Sequence, residues 1–408
     1  MMANDKKENL IYLDHAATTP VDKNVLDVML PFFNESFGNA SSMHAKGREA
    51  FFAVYNARKK VAKAIGAKAT GDDSKEAVEI YFTSGGTEAN NWALRGFAKK
   101  GKRIITSAIE HPSIMTTCKL LEQTGVEVVY LPVCDKGLVN PKDLEKELVC
   151  NAQNTTLISI MMVNNEIGTI QPIKELAAVA RRYKVPFHTD AVQAVGSIPV
   201  DVADLGVDML SLSAHKLYGP KGIGALYIRS GIRPEKLITG GHQERTMRGG
   251  TTNVPLIVGF GEAISNAVVD IERNNTHIKK LRDVFVEKVL SEISDCYLNG
   301  CMQNRAAGNA NFIFEYVEGE SILISLDLGG IACSSGSACS SGTLEPSHVL
   351  LAMGVKLESA HGSIRFSFGK NNTMDDVYKT VQKLKETIDR LRKLSPLFSQ
   401  VKGETKRV

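Results

Sequence analysis

The sequence has 408 residues and a formal net charge of +4, with 43% hydrophobic and 23% charged residues. This length exceeds what one ordinary hydrophobic core needs, so two domains are expected. The basic residues are dispersed, which argues against a nucleic-acid-binding protein, and no apolar run is long enough to span a membrane. The polar start of the chain lacks the apolar core of a signal peptide, so a cytoplasmic location is expected.

The cysteines give no indication of a disulfide framework, because their number is odd and they are widely scattered. The closest pairs also lack the short spacing of a zinc knuckle, so no metal site is predicted. The seven positions are Cys118, Cys134, Cys150, Cys296, Cys301, Cys333 and Cys339.

In chain order, residues 13–20 form an extended, turn-rich segment that is expected to cross the protein surface. Apolar residues at helical spacing then predict a helix over residues 45–65. Residues 78–83 alternate like a strand and run into a glycine turn at residues 84–88, after which the sequence suits a helix. Strand, glycine turn and helix start are typical of an anion site, although a plain helix cap at Thr87 would explain the same pattern.

Further apolar runs separated by helix-compatible stretches predict more strands of the same sheet. Alternation of strands and helices at this spacing is typical of an α/β protein with a mostly parallel sheet flanked by helices. The predicted strands are residues 103–107, 126–131, 156–163, 185–189 and 209–213, with a helix over residues 173–183.

The pattern changes after about residue 261, where two amphipathic helices enclose strand-like residues 310–314 and 363–368. This change predicts a smaller α+β domain. We therefore expect an N-terminal segment over residues 1–22 that joins the small domain, a large domain over 23–264, a small domain over 265–395 and a polar tail over 396–408.

Lys216 lies where the apolar run at residues 209–213 gives way to a glycine-rich turn. Burying an ammonium group is costly, but a lysine that must lose its proton to bond covalently to a carbonyl gains from desolvation. A solvent-facing lysine in a glycine loop would explain the same residues.

Polar residues also follow the other predicted strands: His111, Asn165, Asp190 and Gln193. Ligands of open parallel sheets bind beyond the carboxyl ends of the strands, so these side chains are expected to converge with Lys216 on one pocket. Residues 188–190 alone are as often a capping group as a catalytic one. Together, the lysine, the carboxylate, the anion site and a planar ring match the needs of pyridoxal 5'-phosphate.

Several motifs resemble the class V aminotransferase family of pyridoxal phosphate enzymes, which have PLP-dependent transferase fold type I. They are Asp190-Ala-Val-Gln193, Ser213-Ala-His-Lys216, Ser84-Gly-Gly-Thr-Glu-Ala-Asn90 and Ile109-Glu-His-Pro112. The cysteine-containing segment Ser334–Ser347 and Gly362-Ser-Ile-Arg-Phe-Ser367 narrow the resemblance to the cysteine desulfurases of iron–sulfur cluster assembly. The resemblance extends from Tyr12 to about Leu391.

For the cofactor, the resemblance implies that Lys216 forms the Schiff base and moves the proton at the substrate α-carbon. Asp190 would pair with the pyridine nitrogen, Gln193 with the ring hydroxyl, and His111 would stack on the ring and handle the thiol proton. The phosphate would be bound by Gly86, Thr87, Ser213 and His215, and Thr251 would reach the phosphate of the partner subunit in a homodimer.

For the substrate, L-cysteine, the resemblance implies that Asn165 and Arg365 hold the carboxylate, a task that suits the guanidinium fork. Cys339 would be the nucleophile. It would take the substrate sulfur as a persulfide, release L-alanine, and pass the sulfur to an iron–sulfur scaffold protein or another acceptor. The small, polar neighbours of Cys339 suit a thiol that must move. Cys333 departs from the commoner pattern, and it either packs at a strand end or pairs with Cys339 under oxidation.

Three alternatives remain open on the sequence. A selenocysteine lyase would differ in the form of its cysteine segment, and an ordinary class V transaminase would not need Cys339. A scaffold that has kept the fold is disfavoured because every catalytic position is filled. Cofactor absorbance in the purified protein would separate an enzyme from a scaffold.

Overall fold

The computed structural model describes residues 10–68, 79–335, 346–396 and 398. Cys339 therefore lies outside the described residues. The strands are β1 (Ile11–Tyr12), β2 (Ile80–Thr83), β3 (Arg103–Ser107), β4 (Glu127–Leu131), β5 (Thr155–Ser159), β6 (Phe187–Asp190), β7 (Met209–Ser213), β8 (Gly224–Ile228), β9 (Cys296–Leu298), β10 (Asn309–Phe314), β11 (Ile331–Ala332) and β12 (Ser363–Ser367).

The helices alternate with these strands over the first two thirds of the chain. They are α1 (Lys23–Met29), α2 (Pro31–Asn34), α3 (Ala45–Ala64), α4 (Gly86–Phe97), α5 (Pro112–Gln123), α6 (Pro141–Asn151), α7 (Ile173–Arg182), α8 (Val202–Leu205), α9 (Val254–Val269), α10 (Ile271–Glu292), α11 (Gly319–Asp327), α12 (His348–Ala352), α13 (Leu357–Ala360) and α14 (Met374–Leu394).

The largest sheet has seven strands in the order β2-β8-β7-β6-β5-β3-β4, and it is parallel except where β8 pairs with β2 and β7. Alternate residues of one strand face opposite sides. Ile105 accordingly packs in the core of α3, α7 and α9, whereas Ile104 packs in the core of α4 and α5. The mostly parallel sheet flanked by helices that the sequence predicts is confirmed.

A second core lies around the antiparallel sheet β12-β10-β9, which α10, α11 and α14 cover. Phe285, Phe312 and Phe366 fill its centre and are fully buried. The predicted domain limits stay a prediction. Helix α9 ends at Val269, five residues past the predicted limit at position 264. The chain then bends by 70° into α10.

The N-terminal segment does not simply cross the surface as the sequence suggests. Strand β1 pairs with β11, and Leu13 is fully buried in the second core. Asp14 then bridges to Ser367 of β12, and the main-chain oxygens of Ala16 and Ala17 contact Lys216 just beyond β7 of the large sheet. The local sequence could not reveal which strands this segment contacts, because its partners β11 and β12 lie near the other end of the chain.

Within the described residues, no single helix is long and apolar enough to cross a membrane. Only α9 and α10 together reach the necessary length and composition, and they are sharply bent where they join.

Candidate active site

A cavity of about 620 Å³ lies at the carboxyl ends of β3, β5, β6 and β7. Parallel strands deliver their last side chains to the same edge, so residues that are far apart in sequence meet there. Ten of the residues that the sequence singles out line this cavity: Gly86, Thr87, His111, Asn165, Asp190, Gln193, Ser213, His215, Lys216 and Arg365.

Lys216 ends a short 3₁₀ turn that directly follows β7. Its Nζ donates hydrogen bonds to the main-chain oxygens of Ala16 (2.5 Å) and Ala17 (2.7 Å). Gln193 Nε2 donates to the same Ala16 oxygen at 2.9 Å. The N-terminal segment therefore covers the lysine and orients it within the cavity rather than toward bulk solvent.

Asp190, the last residue of β6, is buried and accepts two hydrogen bonds. The Val192 main-chain N donates to Oδ1 at 2.9 Å, and Asn90 Nδ2 donates to Oδ2 at 2.6 Å. These two hydrogen bonds fix the orientation of the carboxyl group, which lines the cavity.

His111 is the N-cap of α5, and its Nδ1 accepts a hydrogen bond from the Ser113 main-chain N at 3.1 Å. Ser113 Oγ is 2.8 Å from the same nitrogen and in turn accepts from Asn90 Nδ2 at 2.9 Å. Burial lowers the pKa of His111, against the opposing effect of the Asp190 charge. The ring is therefore neutral at pH 7, with its proton on Nε2.

The start of α4 provides the predicted anion site. Its N-cap is Gly85, which has no side chain to cap the helix, so the first N–H groups are available to an anion. A Cβ at Gly86 would lie 2.6 Å from Val192 Cγ2 and 3.7 Å from Ser213 Cβ, so only glycine fits at this position. His215 lies on the same side of the cavity, and burial, together with the charges of Lys216 and Lys221, lowers its pKa to about 4.

Arg365 lies on β12 and extends from the second core into the cavity. Its Nη2 donates to Asp14 Oδ1 at 2.8 Å and its Nη1 to the Asn165 main-chain oxygen at 3.1 Å. Its Nε is buried and has no hydrogen-bond partner among the described residues. A buried guanidinium N–H without a partner is costly, which indicates that a ligand acceptor belongs there.

Two of the predicted residues do not line the cavity within the described chain. Thr251 is exposed and borders a separate, smaller cavity with Ser84 and Arg248. Cys339 is outside the described residues. Cys333 follows β11, packs against the second core, and burial raises its pKa to about 12. This environment favours a packed thiol over a reactive one.

Sequence reasoning missed several side chains that support the site. Asn90 was noted only as part of a motif, although it links Asp190 to Ser113. The ion pair between Asp14 and Arg365 could not be predicted from the sequence, because the two residues are 351 positions apart. His348, which also lines the cavity, was missed, and Glu110, which contacts it, was noted only as part of a motif.

The arrangement fits pyridoxal phosphate. A lysine, a buried carboxylate and an uncapped helix N-terminus line one cavity, which supplies a covalent anchor, a partner for the pyridine nitrogen and a phosphate cradle. Asn90 Oδ1 is also buried without a hydrogen-bond partner in the described chain.

This fold and site define a class of protein. A family model for aminotransferase class-V matches residues 11–379, and the chain belongs to this family. It is a pyridoxal-phosphate-dependent enzyme of fold type I, as the sequence motifs predict.

Individual relatives cover nearly the whole chain. "Cysteine desulfurase IscS" of Dictyoglomus turgidum (strain DSM 6724 / Z-1310) is 53% identical over 390 residues, covering 95% of this chain and 96% of the relative. The protein of the same name from Methanosarcina thermophila is 50% identical, covering 95% and 94%.

Solved structures agree with these relatives. A NifS-like protein superposes with a TM-score of 0.85 at 37% identity and covers 94% of this chain and 100% of its own. An apo cysteine desulfurase from Thermococcus onnurineus NA1 superposes with a TM-score of 0.81 at 25% identity, covering 94% and 95%.

Proposed function

We propose that this enzyme is a cysteine desulfurase that converts L-cysteine to L-alanine and passes the sulfur on for iron–sulfur cluster assembly. The observation that carries the proposal is the placement of Lys216, Asp190 and Arg365 on one cavity, with Arg365 Nε lacking a partner among the described residues. This arrangement suits an amino acid bound by its carboxylate beside the lysine. The names of the close relatives support the same reaction.

The family resemblance implies a task for each described residue, and the placement of these residues on one cavity is compatible with it. When bound, pyridoxal phosphate supplies the electron-withdrawing ring that allows bonds at the substrate carbon to break. Arg365 and Asn165 orient the substrate carboxylate, and Lys216 moves the proton at the α-carbon. Asp190 would pair with the pyridine nitrogen of the cofactor, and Gln193 with its ring hydroxyl. The phosphate would be held by Gly86, Thr87, Ser213 and His215, which line the same cavity.

Cys339 is the proposed nucleophile, and the persulfide forms on its sulfur. The sequence argument for it stands on its small, polar neighbours, since Cys339 lies outside the described residues. The identity of the acceptor, an iron–sulfur scaffold protein or another sulfur acceptor, and the cytoplasmic location stay predictions.

A homodimer is also proposed, with Thr251 reaching the phosphate of the partner subunit. Thr251 is exposed and does not line the cavity that contains Lys216 of its own chain, which suits a role across an interface. Exposed apolar side chains on α1 to α3 and the connecting loop, among them Phe33, Phe37 and Phe52, support an interface on this part of the surface.

The proposal is tested with the parent enzyme and three variants supplied with L-cysteine. The parent should release alanine and carry one reducible extra sulfur on the peptide with Cys339. Lys216→Ala should lose both turnover and the absorbance of the lysine-bound cofactor, whereas the matched control Lys221→Ala, an exposed lysine nearby, should retain both.

Cys339→Ala separates the carbon chemistry from the sulfur chemistry. It should keep the cofactor absorbance and the spectral change on adding L-cysteine, but release neither alanine nor sulfide at a useful rate. Normal turnover by this variant, or an extra sulfur on another cysteine, would contradict the proposed mechanism.

A further inference from the structure

Asn90 is a buried side chain at which three elements of the active-site cavity meet. It lies on α4, one turn after Gly86, is 1% exposed and lines the cavity. Its Nδ2 donates to Oδ2 of Asp190, the last residue of β6, at 2.6 Å. The same nitrogen donates to Oγ of Ser113 on α5 at 2.9 Å. One amide group therefore connects α4 with the end of β6 and the start of α5.

The partners of Asn90 determine how its amide group is turned. Turning the amide over would bring Oδ1 against the Asp190 oxygen and set two acceptors in contact. In the observed orientation both hydrogens of Nδ2 have acceptors, whereas Oδ1 is buried and has no hydrogen-bond partner among the described residues. Such an unpaired buried acceptor is costly, so stability alone does not explain an asparagine at this position.

Ser113 extends the second of these bonds to His111. Its Oγ accepts from Asn90 and lies 2.8 Å from His111 Nδ1, so its own hydrogen is available for that nitrogen. The Ser113 main-chain N donates to the same Nδ1 at 3.1 Å. Hydrogen bonds donated to Nδ1 favour the neutral ring, because the accepting nitrogen then carries no proton. Asn90 thus acts on His111 by fixing the direction of the Ser113 hydroxyl.

The charged groups around His111 act on the same ring. Burial is the largest influence and lowers the pKa of His111, and Lys216 and His348 act in the same direction. The Asp190 carboxyl opposes them. The hydrogen bonds to Nδ1 add to the effects that keep the ring neutral, so the loss of one of them should make protonation easier.

Helix α4 also begins at the predicted phosphate cradle, since Gly86 and Thr87 are its first residues. Asp190 is tied to the same helix one turn further on, through Asn90. One rigid element thereby fixes the separation between the cradle and the carboxyl group proposed for the pyridine nitrogen. The cofactor carries its phosphate and its ring nitrogen at separate positions of one rigid ring, so both contacts form together only at a fixed separation.

We infer that Asn90 is a positioning residue that holds Asp190 and His111 in a fixed position relative to the phosphate cradle of α4. This inference rests on the proposed function, which assigns the pyridine nitrogen to Asp190 and the ring face to His111. Asn90 acts only through these two residues. It transfers no proton and forms no bond to the substrate.

The first test measures cofactor affinity, by titrating the full-length chain with pyridoxal 5'-phosphate after its cofactor has been removed. In Asn90→Ala the Kd should rise about 10-fold or more, which corresponds to about 1.4 kcal/mol and to the loss of one hydrogen bond. In Ser113→Ala, which keeps the bond between Asn90 and Asp190, the Kd should stay within about threefold of the parent. The matched control Asn140→Ala removes the exposed cap of the distant helix α6 and should leave the Kd unchanged.

Asn90→Ser provides the same measurement if Asn90→Ala does not fold. Its side chain is shorter and has one hydrogen to donate, so it cannot supply both bonds. We expect the same rise in the Kd for the cofactor.

The second test follows the protonation of His111 by NMR in the same cofactor-free chains, with the signal assigned by its loss in His111→Gln. The pKa of His111 should rise in Asn90→Ala and in Ser113→Ala, because each variant disrupts the donation to Nδ1 that favours the neutral ring. The double variant should raise it no further than the larger single change, since both residues act on one chain of hydrogen bonds. Asn140→Ala should leave it unchanged.

Steady-state kinetics of the cofactor-saturated enzymes separate positioning from substrate binding. In Asn90→Ala kcat should fall roughly 10- to 100-fold, because a small misplacement of reacting groups costs up to about 10²-fold. KM for L-cysteine should change by less than about threefold, since the substrate carboxylate is assigned to Asn165 and Arg365. An asparagine with a purely structural role would lower stability alone, as Asn140→Ala should.

An Asn90→Ala chain that binds the cofactor within about threefold of the parent would overturn the inference, as would an unchanged pKa of His111 in both single variants. A parent that binds pyridoxal phosphate but does not convert L-cysteine would overturn the proposed function. The cofactor titration and the NMR measurement need no substrate, so they would still decide the inference about Asn90.

Discussion

Glu110 is a carboxyl group that the fold buries completely beneath the active site. Its oxygens accept hydrogen bonds from Ser107 Oγ at 2.5 Å and from the Met161 main-chain N at 3.0 and 3.1 Å. Burial raises its pKa to about 8, and the neighbouring Asp190 charge adds to the effect. Glu110 is therefore protonated at pH 7.

The protonated state of Glu110 predicts a particular dependence of stability on pH. Its folded pKa of about 8 lies above the ordinary value of 4.5, so the unfolded chain loses this proton first as the pH rises. The contribution of Glu110 to the free energy of unfolding is therefore fully present below pH 4.5 and is lost progressively as the pH rises to about 8. In Glu110→Gln, which cannot ionise, this loss should shrink by about 4 kcal/mol between pH 5 and pH 9, since about three pKa units at 1.36 kcal/mol each lie in that range. Denaturant unfolding at both pH values measures it, with exposed Glu287→Gln on α10 as the control. Equal pH dependence in parent and variant would contradict the assignment.

Arg365 predicts a kinetic effect at the same scale. In Arg365→Lys the point charge cannot reproduce the fork that Asp14 and Asn165 orient. We expect KM for L-cysteine to rise roughly 10- to 100-fold, since hydrogen bonds to a charged group contribute about 1.5–3 kcal/mol, together with a lower kcat. Steady-state kinetics measure both constants, and exposed Arg182→Lys should change neither. Unchanged kinetics would remove Arg365 from the site.

Helix α12 is the element that joins the segment carrying Cys339 to the rest of the site. Ser347, its N-cap, donates from Oγ to Glu166 Oε2 at 2.5 Å and accepts from the Leu350 main-chain N at 3.3 Å. Before the segment, Ser334 exchanges main-chain hydrogen bonds with Arg365 at 2.7 and 3.2 Å. Both flanks of residues 336–345 are thus attached to residues that line or support the cavity.

We expect the Ser347–Glu166 hydrogen bond to affect kcat as well as the free energy of unfolding, whereas the cap of a distant helix should affect only the latter. Ser347→Ala removes a buried hydrogen bond and a helix cap, so the free energy of unfolding should fall by about 1–3 kcal/mol and kcat should also fall. Thr373→Ala, which removes the cap of the distant helix α14, should lower stability by about 1 kcal/mol without changing kcat. Ser347→Thr, which keeps the hydroxyl, should restore the parental rate. Thermal unfolding and initial rates provide the two readouts, and equal kcat values in all three variants would count against a role for this bond.

The elements that sequence reasoning located well are those whose signal is local. Strands β3 and β7 match their predicted limits, and α3 begins at the predicted residue, because buried strands and amphipathic helices carry their own periodicity. Strand β5 ends at Ser159, four residues before the predicted limit, although its apolar run continues. Phe51 is one of the apolar residues whose helical spacing predicts α3, and it is 46% exposed. An apolar residue on a helix does not by itself reveal whether a partner covers it.

The same difference between local and long-range signals applies to the residues of the active site. The strand-end residues could be predicted because a parallel sheet fixes their common edge, and the family resemblance supplied their roles. The Asn90–Ser113–His111 network, the Asp14–Arg365 pair and the contact of His348 with Glu110 could not be predicted. Each depends on distances between segments far apart in the chain, and none has a sequence pattern of its own.

At the scale of the whole molecule, the surface of α1 to α3 predicts association. Phe33 is 59% exposed, Phe37 67% and Phe52 57%, and apolar side chains grouped in this way on a surface mark an interaction site. The double variant Phe33→Ser/Phe37→Ser should shift the sedimentation mass from that of a dimer toward half that value, with loss of cofactor affinity if Thr251 acts across the interface. Leu328→Ser, which changes a still more exposed apolar residue (84%) after α11, should remain dimeric. A parent that sediments as a monomer would contradict the homodimer.

The pairing of the N-terminal segment with strands near the other end of the chain also sets an order of assembly. Asp14 cannot form its ion pair until Arg365, 351 residues later, has been synthesised. Ala16 and Ala17 contact Lys216 only when the N-terminal segment is docked. At about 5–20 residues per second, the ribosome needs roughly 20 to 70 s to make the intervening chain. The last strand of the large sheet, β8, ends at Ile228, so it is made well before Arg365, and in the time between the two the lysine lacks its cover. The nascent enzyme therefore passes through a stage with an open catalytic pocket, and its final step of maturation is the return of its own first residues.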